Sequence, residues 1–441
     1  MTGFESRVRK HTHDVSSAVD SGRRPWTRSF LLLAAGESAT SLLRTIGLLW
    51  IARSLGPAAF GTLSVGFVVG RYVIALSHPG LAVAGKRGVA LHPESTPTYL
   101  REIVGSRVLF SSIMLLGAIP AFAVRIDRDL RFVSIAFCLM MLTQSIDTRW
   151  SFIGLQRVGA VAVVSTIGGV AYLLAALLFV HDPGDIVVAA VIYVVCEAFT
   201  SSLLIAASSQ QHGRWWRKPS TGSWRPLWRE ARPFTLTYLA RTLMATIDVV
   251  VVKALRDGDE AGQYAAASRI FVIALLFINH FSDALLPSFV KAAETGRATL
   301  MAATRSALKR ALTVTPLAAV LAILLTPHVV PRVLGREYRP AVAMLQLLIV
   351  AVVIATLNGV IAINLIAARN ERILARLVPV GLVANIAMNL FLVPTIGAMG
   401  AAGATIFTEL IMLAIGSAAL FNLPWGNGLR DGTGSTAAAE K

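Results

Sequence analysis

Charge is scarce in this chain of 441 residues: 15% of its positions are Asp, Glu, Lys or Arg, against about 25% in an ordinary soluble domain. Acids are scarcer than bases, 24 against 41 Lys and Arg. Cysteine is nearly absent. The two present, Cys138 and Cys196, sit inside separate apolar stretches, which excludes a disulfide framework and a thiolate metal site. A nucleotide-binding loop is missing too. Gly80 to Arg87 reads G-x-x-x-x-G-K-R, but the Ser or Thr that would ligate magnesium is absent and no strand precedes it, so an ordinary inner loop is expected. No other catalytic signature is found, and none for a metal or cofactor. These deficits exclude a soluble enzyme, a secreted scaffold and a nucleic-acid-binding protein, in spite of the net charge of +17.

Apolar residues make up 55% of the chain. They are gathered into runs long enough to span a hydrocarbon core about 30 Å thick, which takes roughly 20 residues of helix. Twelve such runs are expected, at 30–52, 59–81, 103–124, 132–154, 160–180, 186–207, 234–254, 264–287, 311–331, 341–366, 375–394 and 400–421. The alternation of a membrane barrel is absent, so the fold class is all-α and polytopic. With the N-terminus in the cytoplasm, 27 Lys and Arg fall on the inner side and 8 on the outer. That asymmetry orients the chain as a multi-pass protein of the cytoplasmic (inner) cell membrane with both termini inside. The basic clusters then find anionic membrane lipids as partners, not nucleic acid. They are also surfaces on which other membrane proteins would dock.

The organisation expected is a basic tail (1–29), a six-helix bundle (30–207), a basic, Trp-rich cytoplasmic linker (208–233), a second six-helix bundle (234–421) and a tail (422–441). Both tails read as disordered. The linker tryptophans, flanked by arginines, suit the headgroup zone. Two six-span halves that both start inside would be parallel repeats. An offset of 204 lays Glu37 on Arg241 and Arg44 on Asp248, and one near 212 lays Glu197 on Glu409. The turn Phe60-Gly61 resembles Gly262-Gln263-Tyr264.

Four segments carry a family likeness. They are Ile51 to Gly61 (I-A-R-S-L-G-P-A-A-F-G), Ala261 to Arg269 (A-G-Q-Y-A-A-A-S-R), Leu334 to Ala341 (L-G-R-E-Y-R-P-A), and Asn385 to Ala402 with Asn389, Pro394, Gly397 and Gly400-Ala401-Ala402. In this order they resemble the motifs of polysaccharide flippases (O-antigen and teichuronic acid type) in the multidrug/oligosaccharidyl-lipid/polysaccharide exporter superfamily. The likeness covers residues 30–422. It implies two bundles forming a V around a central cavity. It also implies a transporter, not an enzyme, that flips a lipid-linked oligosaccharide (a polyprenyl-pyrophosphate glycan) between leaflets by alternating access. With that function, the proteins docking on the basic clusters would be membrane proteins of glycan synthesis. An ion-coupled antiporter of drugs or organic cations, from the same superfamily, is the alternative, and a membrane scaffold a third reading.

Ionisable groups in the bilayer are costly and face a cavity or a partner. Glu37 and Arg44 share a helix face, because seven residues make nearly two turns, about 10.5 Å. Arg241 and Asp248 do the same on the seventh span. If the repeats face each other, Glu37 would pair with Arg241 and Arg44 with Asp248, as a gate. Arg44, Arg71, Arg241 and Arg269 are the candidates for binding the substrate phosphates, since a guanidinium can meet two phosphate oxygens at once. His280 with Asp283, three apart on one helix, and Glu197 with Glu409 are candidates for a coupling ion. Asn358, Asn364, Asn385 and Asn389 read as interhelical hydrogen bonds. Arg107 and Lys253, near span ends, are expected to snorkel.

Overall fold

At Gly56 the backbone takes φ 72°, a left-handed value that a side chain opposes, and Pro57 follows without an N–H to offer a continuing helix. This break folds the first helix, α1 (Thr2–Ser77), into two crossings. Arg44 before it and Phe67 after it both reach the same partner helix, at Glu197 and Tyr193, so the two arms lie side by side. The computed structural model describes residues 2–77, 80–122, 127–215 and 224–422. The first half continues through α2 (Leu81–Leu91), α3 (Thr96–Phe122), α4 (Arg128–Ser145), α5 (Arg149–Gly154), α6 (Val158–Phe179) and α7 (Ile186–His212). The second half holds α8 (Trp224–Met244), α9 (Ile247–Leu255), α10 (Gly258–Thr295), α11 (Arg297–Val333), α12 (Ala341–Ala367), α13 (Glu371–Ile396) and α14 (Ala398–Asn422).

Seven of the described helices are long and apolar enough to cross a membrane: Gly36–Ser77 within α1, then α6, α7, α11, α12, α13 and α14. The other expected crossings fall on α3, α4, α10 and the pair α8–α9. Two expected spans prove to be interrupted. The run 132–154 breaks between α4 and α5, where the Asp147 carboxylate accepts the Arg149 backbone N–H at 2.7 Å. The run 234–254 breaks at 245–246, which places Asp248 in the first turn of α9, where the helix dipole favours a carboxylate.

Other expectations change at the inner end. The N-terminal tail is helical from Thr2 rather than disordered; residues 4–20 contain neither glycine nor proline to stop a helix. The segment 80–87 is the start of α2, not a loop, and Gly85 and Gly88 let the rings of Trp150 and Tyr99 pack against it. The described linker tryptophans, Trp215, Trp224 and Trp228, pack into the protein. Trp215 is buried with Leu81, Ile103 and Ala231 in one apolar cluster. Trp224 Nε1 donates to Glu102 of α3 at 3.0 Å, and the Trp228 ring stacks edge-on with Phe110 at 4.6 Å. Glu102 is itself buried, so it requires such donors. Residues 216–223 and 423–441, including most of the C-terminal tail, lie outside the described residues. Arg107 does not snorkel; it is 4% exposed and donates to the Asp147 carbonyl at 3.3 Å.

At the opposite end, outer in the expected orientation, the halves are knit together. Gly61 and Gly262 sit backbone to backbone, so that a Cβ on Gly262 would collide with the Pro57 carbonyl and one on Gly61 with the Gly258 carbonyl. The Tyr338 hydroxyl donates to the Ala52 carbonyl at 2.7 Å, and Arg53 to the Arg332 carbonyl at 3.0 Å. Lys253 reaches Thr62 of the other half at 3.4 Å instead of turning toward the headgroups. These contacts join a large apolar core containing Ile51, Leu55, Phe60, Val252, Tyr264 and Leu334. The two glycines come from corresponding turns of the two halves, so the seal repeats the internal duplication.

Candidate functional site

Below this seal lies a cavity of about 480 Å³, bounded by α1, α4, α6 and α7 of the first half and by Ala245, Ala266, Arg269 and the following turns of α10 from the second. Its wall is mostly apolar, with Ser41, Thr45 and Ser64 supplying hydroxyls and Arg44 and Arg269 the charge. A concave, apolar space with a few convergent polar groups is the usual form of a ligand site.

The aromatic wall is a connected set of rings. Phe67 meets Phe137 at 5.4 Å and Tyr193 at 5.3 Å between centroids, and Tyr193 meets Tyr172 at 5.6 Å, all near edge-on. The Arg269 guanidinium lies 4.8 Å from the Phe67 centroid, within the range of a cation–π contact. No described carboxylate pairs with Arg269. Another cation, the half-buried Arg71, lies within electrostatic reach of both Arg269 and Tyr193. This ring set was not legible in the sequence, because its members come from four separate helices at no common spacing.

Arg44 also faces the cavity but is not free. It forms an ion pair with Glu197 of α7, and Glu197 accepts a second hydrogen bond from Gln144 of α4 at 3.1 Å. The second half repeats the amide–acid part of this arrangement. Asn358 of α12 donates to Glu409 of α14 at 2.7 Å, on the helices that correspond to α4 and α7. Gln144 was missed in the sequence; the signal was an amide at the depth of Asn358 in the equivalent span. Asp248 accepts from the Tyr264 hydroxyl at 2.8 Å, Asn389 Nδ2 at 2.7 Å and the Thr405 hydroxyl at 3.3 Å. Asn389 in turn contacts Asn385, and Asn389 Oδ1 is buried without a partner. Asn364 donates to Thr304 at 2.6 Å.

The two ion pairs expected between the halves are therefore not formed. Arg44 is taken by Glu197 on its own side, and Asp248 is surrounded by hydroxyls and amides of the second half. Glu37 and Arg241 are both exposed, and neither has a hydrogen bond or ion pair among the described residues. The physical reason lies in the break before α9. It turns Asp248 into the second half, away from the face it would share with Arg241 in an unbroken helix. The side chains of His280 and Asp283 lie outside the described residues. Among the described residues no group of three His, Cys, Asp or Glu is placed to hold a metal.

A two-half helical bundle with a charged cavity between the halves and a seal at one end is the architecture of a membrane transporter. Comparison with known proteins agrees. A family model described as "Polysaccharide biosynthesis protein" matches residues 26–293, and the chain belongs to that family. Its fold is shared with transporters of the MOP superfamily. A MATE-family multidrug resistance transporter in an inward-facing conformation superposes with a TM-score of 0.71 at 14% identity, over 87% of this chain and 94% of that one. The lipid II flippase MurJ, in an inward closed conformation, gives 0.69 at 14% identity, over 89% and 88%. An outward-facing MATE transporter gives 0.60 at 14% identity, over 90% and 94%. Among curated proteins no sequence match is found.

Proposed function

We propose that this protein moves an anionic lipid-linked oligosaccharide, a glycan on an isoprenoid pyrophosphate, from the inner to the outer leaflet of the cell membrane for surface polysaccharide synthesis. The observation that carries the reading is the charge of the cavity. Arg44 is neutralised by Glu197, whereas Arg269, which also lines the cavity, has no acid paired with it among the described residues, and Arg71 lies within its electrostatic reach. A guanidinium without an acid in a low-dielectric site, with a second cation nearby, asks for an anion, and a pyrophosphate meets it with several charged oxygens. The apolar wall suits the first part of the isoprenoid chain and the hydroxyls suit sugar. Family membership and the MurJ-like fold support the same reading.

In this reading the halves rock about the cavity, with the Gly61–Gly262 seal closed while the headgroup enters from the cytoplasm. The substrate phosphate competes with Glu197 for Arg44. Two buried acids of the second half, Asp248 and Glu409, have no cationic partner among the described residues and are the groups we assign to the driving ion. A membrane potential supplies about 2.3 kcal/mol per charge per 100 mV.

The test is made in cells lacking the gene. Lipid-linked glycan should accumulate in the membrane while surface polysaccharide falls. The wild-type gene should reverse both changes, and R269Q and R71Q should fail to do so at equal protein level. Unchanged glycan together with raised sensitivity to cationic compounds would replace this reading with an organic-cation antiporter.

A further inference from the structure

An aromatic box inside a membrane transporter is a ready-made site for organic cations, because the negative faces of rings attract a desolvated positive charge. Here one ring face already has an occupant. Arg269 enters from α10, a helix of the second half, and lays its guanidinium 4.8 Å from the Phe67 ring, while Phe137 and Tyr193 pack edge-on against Phe67 at 5.4 and 5.3 Å and fix it in place. No described acid is paired with Arg269, so the Phe67 face is its cation–π seat. We propose that Arg269 determines the charge selectivity of the cavity by acting as a resident cation, filling the aromatic face that an organic cation would otherwise take and leaving its charge directed at an anion.

The inference concerns the same cavity as the proposed function, but it does not depend on which lipid is carried. A cationic ligand entering the wild-type cavity would have to expel Arg269 from Phe67 and then remain near both Arg269 and Arg71. Removing the charge at position 269 frees the ring face. It leaves Arg44 with Glu197, a neutral pair, and Arg71 as the one remaining unbalanced cation among the described groups nearby. The aromatic set and the hydroxyls would then present a site of the opposite preference. Arginine suits the role because its guanidinium is flat, stacks on a ring and stays charged when buried.

The experiment uses purified full-length protein in lipid nanodiscs and two probes, tetraphenylphosphonium as a lipophilic monocation and geranylgeranyl pyrophosphate as an isoprenoid anion. Wild type should bind the anion and not the cation. R269Q and R269L should each gain cation affinity by tenfold or more and lose anion affinity by a similar factor. R269K should behave as wild type toward the cation. Adding F67L to R269Q should abolish the gained cation binding, which ties the effect to the ring. Cation binding by wild type, or none by both neutral variants when they remain monodisperse with a wild-type melting temperature, overturns the proposal. Wild type binding neither probe while R269Q gains the cation would sink the flippase reading and leave the selectivity role standing.

Discussion

In the first half a buried carboxylate, Glu197, faces a guanidinium; in the second, among the described residues, its counterpart Glu409 meets the amide of Asn358, and Asp248 meets hydroxyls and amides. The frame is common to both: an acid on the last helix of each half, held by an amide from the fourth. What differs is the cation on the first helix, Arg44 in one half and Asp248 at the matching position in the other. A duplicated scaffold has thus been given two electrostatic tasks. The half with arginine can release it to an anion and keep a net balance. The half with an acid at that position holds Asp248 and Glu409 by neutral hydrogen bonds.

The sharpest way to break this contrast is to remove Arg44. R44M leaves Glu197 buried beside Gln144 alone and should cost about 3–5 kcal/mol of stability, the usual penalty for orphaning a buried charge. R44M/E197Q should recover most of it, and E409Q should cost less than about 1 kcal/mol, because its loss is one of a neutral donor's bonds. Thermal unfolding in nanodiscs reads all three; equal losses for R44M and E409Q would erase the distinction between the halves. Next in size is G262A. Its methyl group meets the Pro57 carbonyl, and overpacking of this kind costs about 1–3 kcal/mol. The cost falls on the sealed state alone, so the outward-open population should rise between roughly 5- and 150-fold. Spin labels on the two halves at the outer end should show a longer distance, whereas an unchanged distance distribution would mean that the glycines do not set the seal.

Smaller effects compare how each half ties its ends. W224F removes the indole bond to Glu102 but keeps Arg101 Nε, 2.8 Å away, so about 1 kcal/mol should be lost. The smallest change concerns the loops before the last helix of each half. In the first, Asp185 accepts the His181 and Asp182 backbone N–H groups at 2.9 and 3.1 Å, which hold its carboxyl below the usual carboxylate range. Its stabilising effect is present above the ordinary carboxylate pKa and is lost as pH falls through the lowered one. In the second, Glu260 is borrowed from α10 to cap the Ala398 N–H at 2.8 Å. E260Q should therefore cost only about 0.5–1 kcal/mol, measured as a small fall in melting temperature at neutral pH.

The hydrophobic runs make the helices and their order readable from the sequence, because a bilayer leaves few alternatives to a continuous helix. The breaks at Asp147 and before Asp248 were not readable. Each depends on a polar side chain competing for backbone hydrogen bonds, and nothing in the local composition marks the winner. The glycines at 61 and 262 read in the sequence as similar turns of the two halves, and the structure shows that they pack on each other. Arg44, Arg269 and Glu197 stood out as costly charges. Their partners did not, since Arg44 could reach a carboxylate on either half with equal charge logic. The aromatic seat of Arg269 was hidden for the opposite reason: Phe and Tyr in a membrane span are ordinary and carry no cost to attract notice.

The burial of Trp215 and Ala231 in the α2–α3 cluster has a mechanical consequence. By sequence the molecule divides at the linker, yet the beginning of α8 packs into the first half, on α2 and α3. Any relative motion of the halves must bend the chain beyond Ala231, and the break at 245–246 is the joint available. Asp248 stands one turn from that joint, so the carboxylate assigned to the driving ion sits at the fulcrum of the lever it would move.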